Sequence, residues 1–177
     1  MGVQSARRRV TYLAMASVLA VPVFLAPSAS AACDISQTKC ALNGGKCNIH
    51  FTNRTGDAAG SDGSSVLHQS AAAQAVTVKA VKSNGKKAGN KLVIQAYETK
   101  TMNLDKKAHK HFSKIHLRSQ NGPQVFGGGT ITCDDIVAIL DGNGKCKLFT
   151  GVQYSPNGMD RHIGYQCDSG NVGGPNE

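Results

Sequence analysis

KCKLFTGVQYSPNGMDRHIGYQC, residues 145–167, decides how the rest of the chain is read. Apolar and polar residues alternate along both halves, and Ser155-Pro156-Asn157-Gly158 between them is a turn sequence, so the stretch is expected to form a β-hairpin. Closing the turn symmetrically sets Tyr154 opposite Met159, Leu148 opposite Tyr165 and Cys146 opposite Cys167. One face then carries Cys146, Leu148, Val152, Tyr154, Met159, Ile163, Tyr165 and Cys167. Lys145, Lys147, Gln153, Asp160, His162 and Gln166 point the other way. A sheet with one face on a core shows this division, and a slip of one residue would destroy it. The same register predicts a Cys146–Cys167 disulfide.

Working upstream, Asp141-Gly142-Asn143-Gly144 reads as a second hairpin turn. It makes CDDIVAIL, residues 133–140, a strand with Ile139 opposite Cys146, Val137 opposite Leu148 and Cys133 opposite Val152. In CALNGGKC, residues 40–47, a two-residue Asn43-Gly44 turn sets Cys40 opposite Cys47 as a second cross-strand disulfide. Cys33–Cys133 follows by elimination, while the alternative of Cys33–Cys40 with Cys47–Cys133 stays open. No Cys-x-x-Cys occurs, which favours bridges over a zinc site.

Further strands are expected in CNIHFT (47–52, with Cys47, Ile49 and Phe51 inward), AVTVKAV (75–81), KLVIQAYET (91–99) and TIT (130–132). SNGKKAGN (83–90) reads as a hairpin connection and GDAAGSDGSS (56–65) as a flexible loop. Many short strands with glycine-rich turns predict an all-β fold, a disulfide-bonded antiparallel β-sandwich or partly open barrel. NLDKKAHKHFSKIHLRS (103–119) fits two patterns. Leu104, Ala108, Phe112 and Ile115 also have helical spacing, and one short helix near 104–117 would make the fold α+β.

The chain begins with three arginines (Arg7 to Arg9), an apolar run from about Tyr12 to Leu25, and Ala29-Ser30-Ala31. That order predicts a secretory signal peptide over 1–32, by the general or the twin-arginine route, and a single secreted β-rich domain over 33–177. Cysteines that all lie beyond the expected cleavage site, and are even in number, suit an exported protein. No later stretch is long and apolar enough for a membrane-spanning helix.

Charge is segregated. From Lys79 to Arg118 there are eleven Lys or Arg and two acids, Glu98 and Asp105, a net +9, whereas the rest of 33–177 sums to −3. Such a segment draws polyanions, with Lys106, Lys107, Lys110, Lys114 and Arg118 as the candidate binding residues. The domain has no Trp and few other aromatics, which disfavours stacking on sugars or bases.

AHKHFSKIH, residues 108–116, holds three of the six histidines. On a strand running from Lys107 to Ser119, His109 and His111 would share one side with Ile115 and Leu117, a pair able to start a copper or zinc site. Lys110, Lys114, His116 and Arg118 would share the other side with Phe112. A metal-independent hydrolase or nuclease would instead draw an acid/base pair from His109, His111, His116 and His162, with Lys110 or Lys114 to steady an oxyanion. No nucleophile motif supports catalysis, and no catalytic residue is assigned. Asp141-Gly142-Asn143-Gly144 starts like a calcium loop but places Val152 where the acidic ligand belongs. Asn53-Arg54-Thr55 is a formal glycosylation sequon. The composition thus predicts an exported binding domain without a cofactor, whose cationic surface meets envelope polysaccharide, lipid headgroups at a membrane surface or nucleic acid. A His-dependent metal-binding protein, an enzyme and a structural envelope protein are the other classes.

Overall fold

The computed structural model describes residues 32–57, 73–105, 109, 111–120, 129–155, 158–168 and 172–173. The expected signal peptide, the 56–65 loop beyond residue 57, and Lys106, Lys107 and Lys110 lie outside the described residues. Two sheets make up the fold. Strands β1 (Asn48–Asn53), β2 (Val76–Val81), β3 (Lys87–Ile94), β4 (Thr99–Asn103), β5 (Lys114–Ser119), β6 (Gly129–Ile131), β7 (Lys145–Ser155), β8 (Gly158–Cys167) and β9 (Val172–Gly173) follow in chain order. A five-stranded sheet has the order β4-β1-β7-β8-β9 and a four-stranded sheet the order β3-β2-β5-β6. Ile49, Phe51, Met102, Leu148, Ile163 and Tyr165 of the first meet Val76, Val78, Ile94, Ile115, Leu117 and Ile131 of the second in one core. Each large apolar side chain buried there contributes about 1.5–3 kcal/mol. The β-rich sandwich expected from the sequence is therefore the fold, and neither sheet closes into a barrel.

The β7–β8 hairpin keeps the expected register from Cys146 opposite Cys167, through Leu148 opposite Tyr165, to Ser155 opposite Gly158. Cys146–Cys167, Cys40–Cys47 and Cys33–Cys133 are the three disulfides, and no cysteine is free. This is the thiol state of a chain in an oxidising compartment. Among the described residues no helix is long and apolar enough to cross a membrane.

Several elements differ from expectation. CDDIVAIL is not a strand but helix α2 (Cys133–Asp141). Thr132 caps it, its hydroxyl accepting from the Asp135 amide while the Asp135 carboxylate accepts from the Thr132 amide, and two acids in the first turn suit the helix dipole. Ile136, Ile139 and Leu140 then fall on one buried face at helical spacing. Gly142 ends the helix and Gly144 has φ +69, so the glycine-rich turn stops a helix instead of closing a hairpin. It delivers β7 to β1, where the His50 amide donates to the Gly144 carbonyl at 2.7 Å. That pairing is parallel, which makes the sandwich mixed and not wholly antiparallel.

CALNGGKC likewise contains a single helical turn, α1 (Lys39–Leu42), where a hairpin was expected. Gly44, at φ +64, turns the chain after it, and Cys40 still reaches Cys47. The strand expected over 91–99 ends at Ile94, and the chain crosses to the other sheet through a turn in which Tyr97 takes φ +64. Among the described residues of 104–117 there is no α-helix. His109 lies in a short 3-10 turn and the strand begins only at Lys114.

Asn53 closes this crossing from inside the core. It is fully buried, its Nδ2 donates to the carbonyls of Gln74 (2.6 Å) and Ile94 (2.9 Å), and its Oδ1 accepts from the amide and hydroxyl of Thr55. The sequon is thus a structural knot, with no accessible amide nitrogen to modify in the folded chain.

Candidate anion-binding face

The outer side of the four-stranded sheet is built by strand alternation. Val76, Val78 and Ala80 of β2 and Ile115 and Leu117 of β5 enter the core, so Thr77 and Lys79, and Lys114, His116 and Arg118, turn outward. Cross-strand pairing then fixes the rows. Lys91, Lys79, His116 and Thr130 lie side by side across β3, β2, β5 and β6, and Val93, Thr77 and Arg118 form the adjacent row. The β2–β3 hairpin adds exposed Lys82, Lys86 and Lys87 at one end, its turn held by the Gly85 amide on the Lys82 carbonyl and by the Lys82 amide on the Lys86 carbonyl.

Electrostatics registers this clustering at His116. Burial first, then the positive charges of Lys114, Arg118 and Lys79, hold its imidazole below the ordinary value of 6.5. Among the described residues no carboxylate forms an ion pair with the cations of this face. The ion pairs found lie elsewhere, between Arg54 and Asp57 and between Lys100 and Glu98. Lys100 also donates to the Val93 carbonyl at 2.6 Å, so it belongs to the sheet edge and not to the cationic surface. An unneutralised row of lysine point charges attracts oxyanions without demanding one geometry, and a single arginine supplies the only planar fork.

No protein-family model, curated protein or solved structure matches this chain.

Of the candidate binding residues, Lys114 and Arg118 stand on this face as expected from strand parity. The histidine pair fares differently. His109 is buried in the 3-10 turn and His111 is exposed, so they do not share a strand face, because the strand that would align them starts after both. Among the described residues no group of three His, Cys, Asp or Glu gathers as a metal site would. His116 and His162, proposed partners in acid/base chemistry, turn to the outer sides of opposite sheets. His162 points outward by register, yet it is only 3% exposed, its ring lying where a Cβ on the opposing Gly151 would be. Lys79, Lys91 and His116 were not singled out as ligands from sequence. The Thr77-x-Lys79 alternation in a strand otherwise filled by Val and Ala was the signal that placed Lys79 outside.

Proposed function

We propose that this protein is an exported binding domain that holds a polyanion against the outer side of its four-stranded sheet. The observation that carries the reading is the row Lys91–Lys79–His116, flanked by Lys114 and Arg118, with no carboxylate paired to it among the described residues. Neighbouring strands stand about 4.8 Å apart, so that row spans roughly 10 Å, enough for two or three successive anionic groups of a linear chain. Lysine charges on mobile stems suit a partner recognised by charge density, as in an anionic envelope polysaccharide, over one recognised by a single shape. Export is supported by the arginine-led apolar segment and small-residue exit within 1–32, and by the oxidised cysteines.

Heparin serves as a generic polyanion for the test. Affinity is expected to fall steeply with salt, as counterion release requires, and Lys79→Gln, Lys114→Gln and Arg118→Gln are each expected to weaken it severalfold and flatten the salt slope. Binding that ignores salt, or that survives the triple variant undiminished, overturns the reading.

A further inference from the structure

Outside the basic segment, residues 33–177 hold six cations, and four of them line two adjoining clefts at the five-stranded sheet. Lys145 and Lys147 line a cleft of about 420 Å³ together with His50, Thr52, Thr99 and Asp168. A second cleft of about 290 Å³, lined by Lys39, Lys46, Asn43 and Asn48, shares His50 with it. Register explains the convergence. β1 lies between β4 and β7, so His50 has Thr101 on one side and Lys145 on the other, and Thr52 has Thr99 and Lys147. Summed charge hid the site, because the lysines come from α1, the loop after it and β7, in parts of the chain where acids equal or outnumber the cations.

The polar groups of the larger cleft are held in place. His50 Nδ1 bonds Thr101 Oγ1 at 2.8 Å, which fixes the ring, and its Nε2 has no partner among the described residues. Thr52 and Thr99 share one hydroxyl bond at 2.8 Å, which uses one of their two hydroxyl protons and leaves the other free to donate. Asp168 is committed, its carboxylate accepting from Asn143 Nδ2 and its amide donating to the Lys145 carbonyl. Neither Lys145 nor Lys147 is ion-paired among the described residues.

We propose that these adjoining clefts bind a small phosphate monoester, its phosphoryl group between Lys145, Lys147 and His50 and its organic part reaching towards Asn43 and Asn48. A phosphoryl group carries about −1.5 to −2 charges and offers only acceptor oxygens, which matches two ammonium groups and a set of donors. The two linings hold Lys39, Lys46, Lys145 and Lys147 against the single carboxylate of Asp168, so the one charge of a carboxylate ligand offsets less of the excess than a phosphoryl group does. Alternate residues on β7 place the two lysine Cα atoms about 6.6 Å apart, a span that one phosphoryl group bridges when both side chains lean inward. The larger cleft has the size of a small-molecule site.

The test follows the His50 imidazole resonances and binding heat at constant ionic strength, with glucose 6-phosphate, inorganic phosphate, glucuronate and glucose as probes. Saturable binding of glucose 6-phosphate is expected, at least tenfold tighter than glucuronate, and lost by tenfold or more in Lys145→Gln/Lys147→Gln. Both lysines are exposed, and Lys145→Arg/Lys147→Arg, which keeps the charge, should retain binding. Lys79→Gln/Arg118→Gln should leave it unchanged, which separates this site from the polyanion face. Inorganic phosphate binding as tightly as the ester would support the same chemistry with free phosphate as the ligand. Absence of a saturable shift with either phosphate, or equal affinity in the Gln double variant, overturns the proposal.

Discussion

His116 and His162 are both held below the ordinary imidazole value of 6.5, and the causes differ. For His162 the cause is burial over Gly151, which favours the neutral ring. For His116 burial leads and three neighbouring cations add to it. The sign of the effect on stability is the same. Well above pH 6.5 both rings are neutral in the folded and unfolded chain, and neither opposes folding. As pH falls through 6.5 the unfolded chain takes up protons that the folded chain refuses, so stability declines until the folded values are passed and the loss levels off. Thermal unfolding from pH 8 to pH 5 should therefore show a falling melting temperature. His162→Gln should make that decline shallower, because a side chain that does not titrate replaces one that does. A decline of unchanged slope in the variant would mean that His162 takes up its proton in the folded chain as readily as in the unfolded one.

At the scale of elements, α2 shows what alternation misses. Cys133-Asp134-Asp135-Ile136 looked like the start of a strand because the following apolar residues also satisfy a period of two when a hairpin turn is assumed after them. The competing signal was local: a Thr three residues before an Asp, with acids in the first turn, is a helix start. Removing it with Thr132→Ala is expected to cost about 1 kcal/mol, a drop of about 3 °C in melting temperature for a domain of this size. An unchanged melting temperature would show that the Tyr165 hydroxyl, which donates to Asp135 Oδ2 at 2.8 Å, holds the helix end by itself. The β7–β8 hairpin was legible because register, apolar parity and two cysteines all agreed across one turn. Lys114, His116 and Arg118 were legible as one face because β5 alternates cleanly, whereas the cleft at His50 was not. Its members meet only through the parallel β1–β7 pairing, which depends on α2 being a helix that carries the chain across.

For the whole molecule, the disulfides divide the chain by very different loop lengths. Cys33–Cys133 closes a separation of 100 residues, Cys146–Cys167 one of 21 and Cys40–Cys47 one of 7. The first ties the segment before α1 to the first turn of α2, and the Cys33 amide donates to the Phe112 carbonyl at 2.7 Å, so one end of the domain is fastened to both the helix and the approach to β5. If the bridges act by restricting the unfolded chain, their contributions rank with loop length, at about 4.7, 3.4 and 2.5 kcal/mol in that order. Urea unfolding of three paired variants, Cys33→Ala/Cys133→Ala, Cys146→Ala/Cys167→Ala and Cys40→Ala/Cys47→Ala, measures the ranking directly. The largest loss is expected for the first pair. The Cys146–Cys167 bridge spans two strands already paired along ten residue pairs, so its loss should leave the hairpin register intact and be read only in the midpoint. Should the Cys40–Cys47 pair cost the most, loop entropy is not what these bridges supply. The stabilisation would then reside in native packing, where Cys47 is buried beside Ile49 and Phe51 at the start of β1.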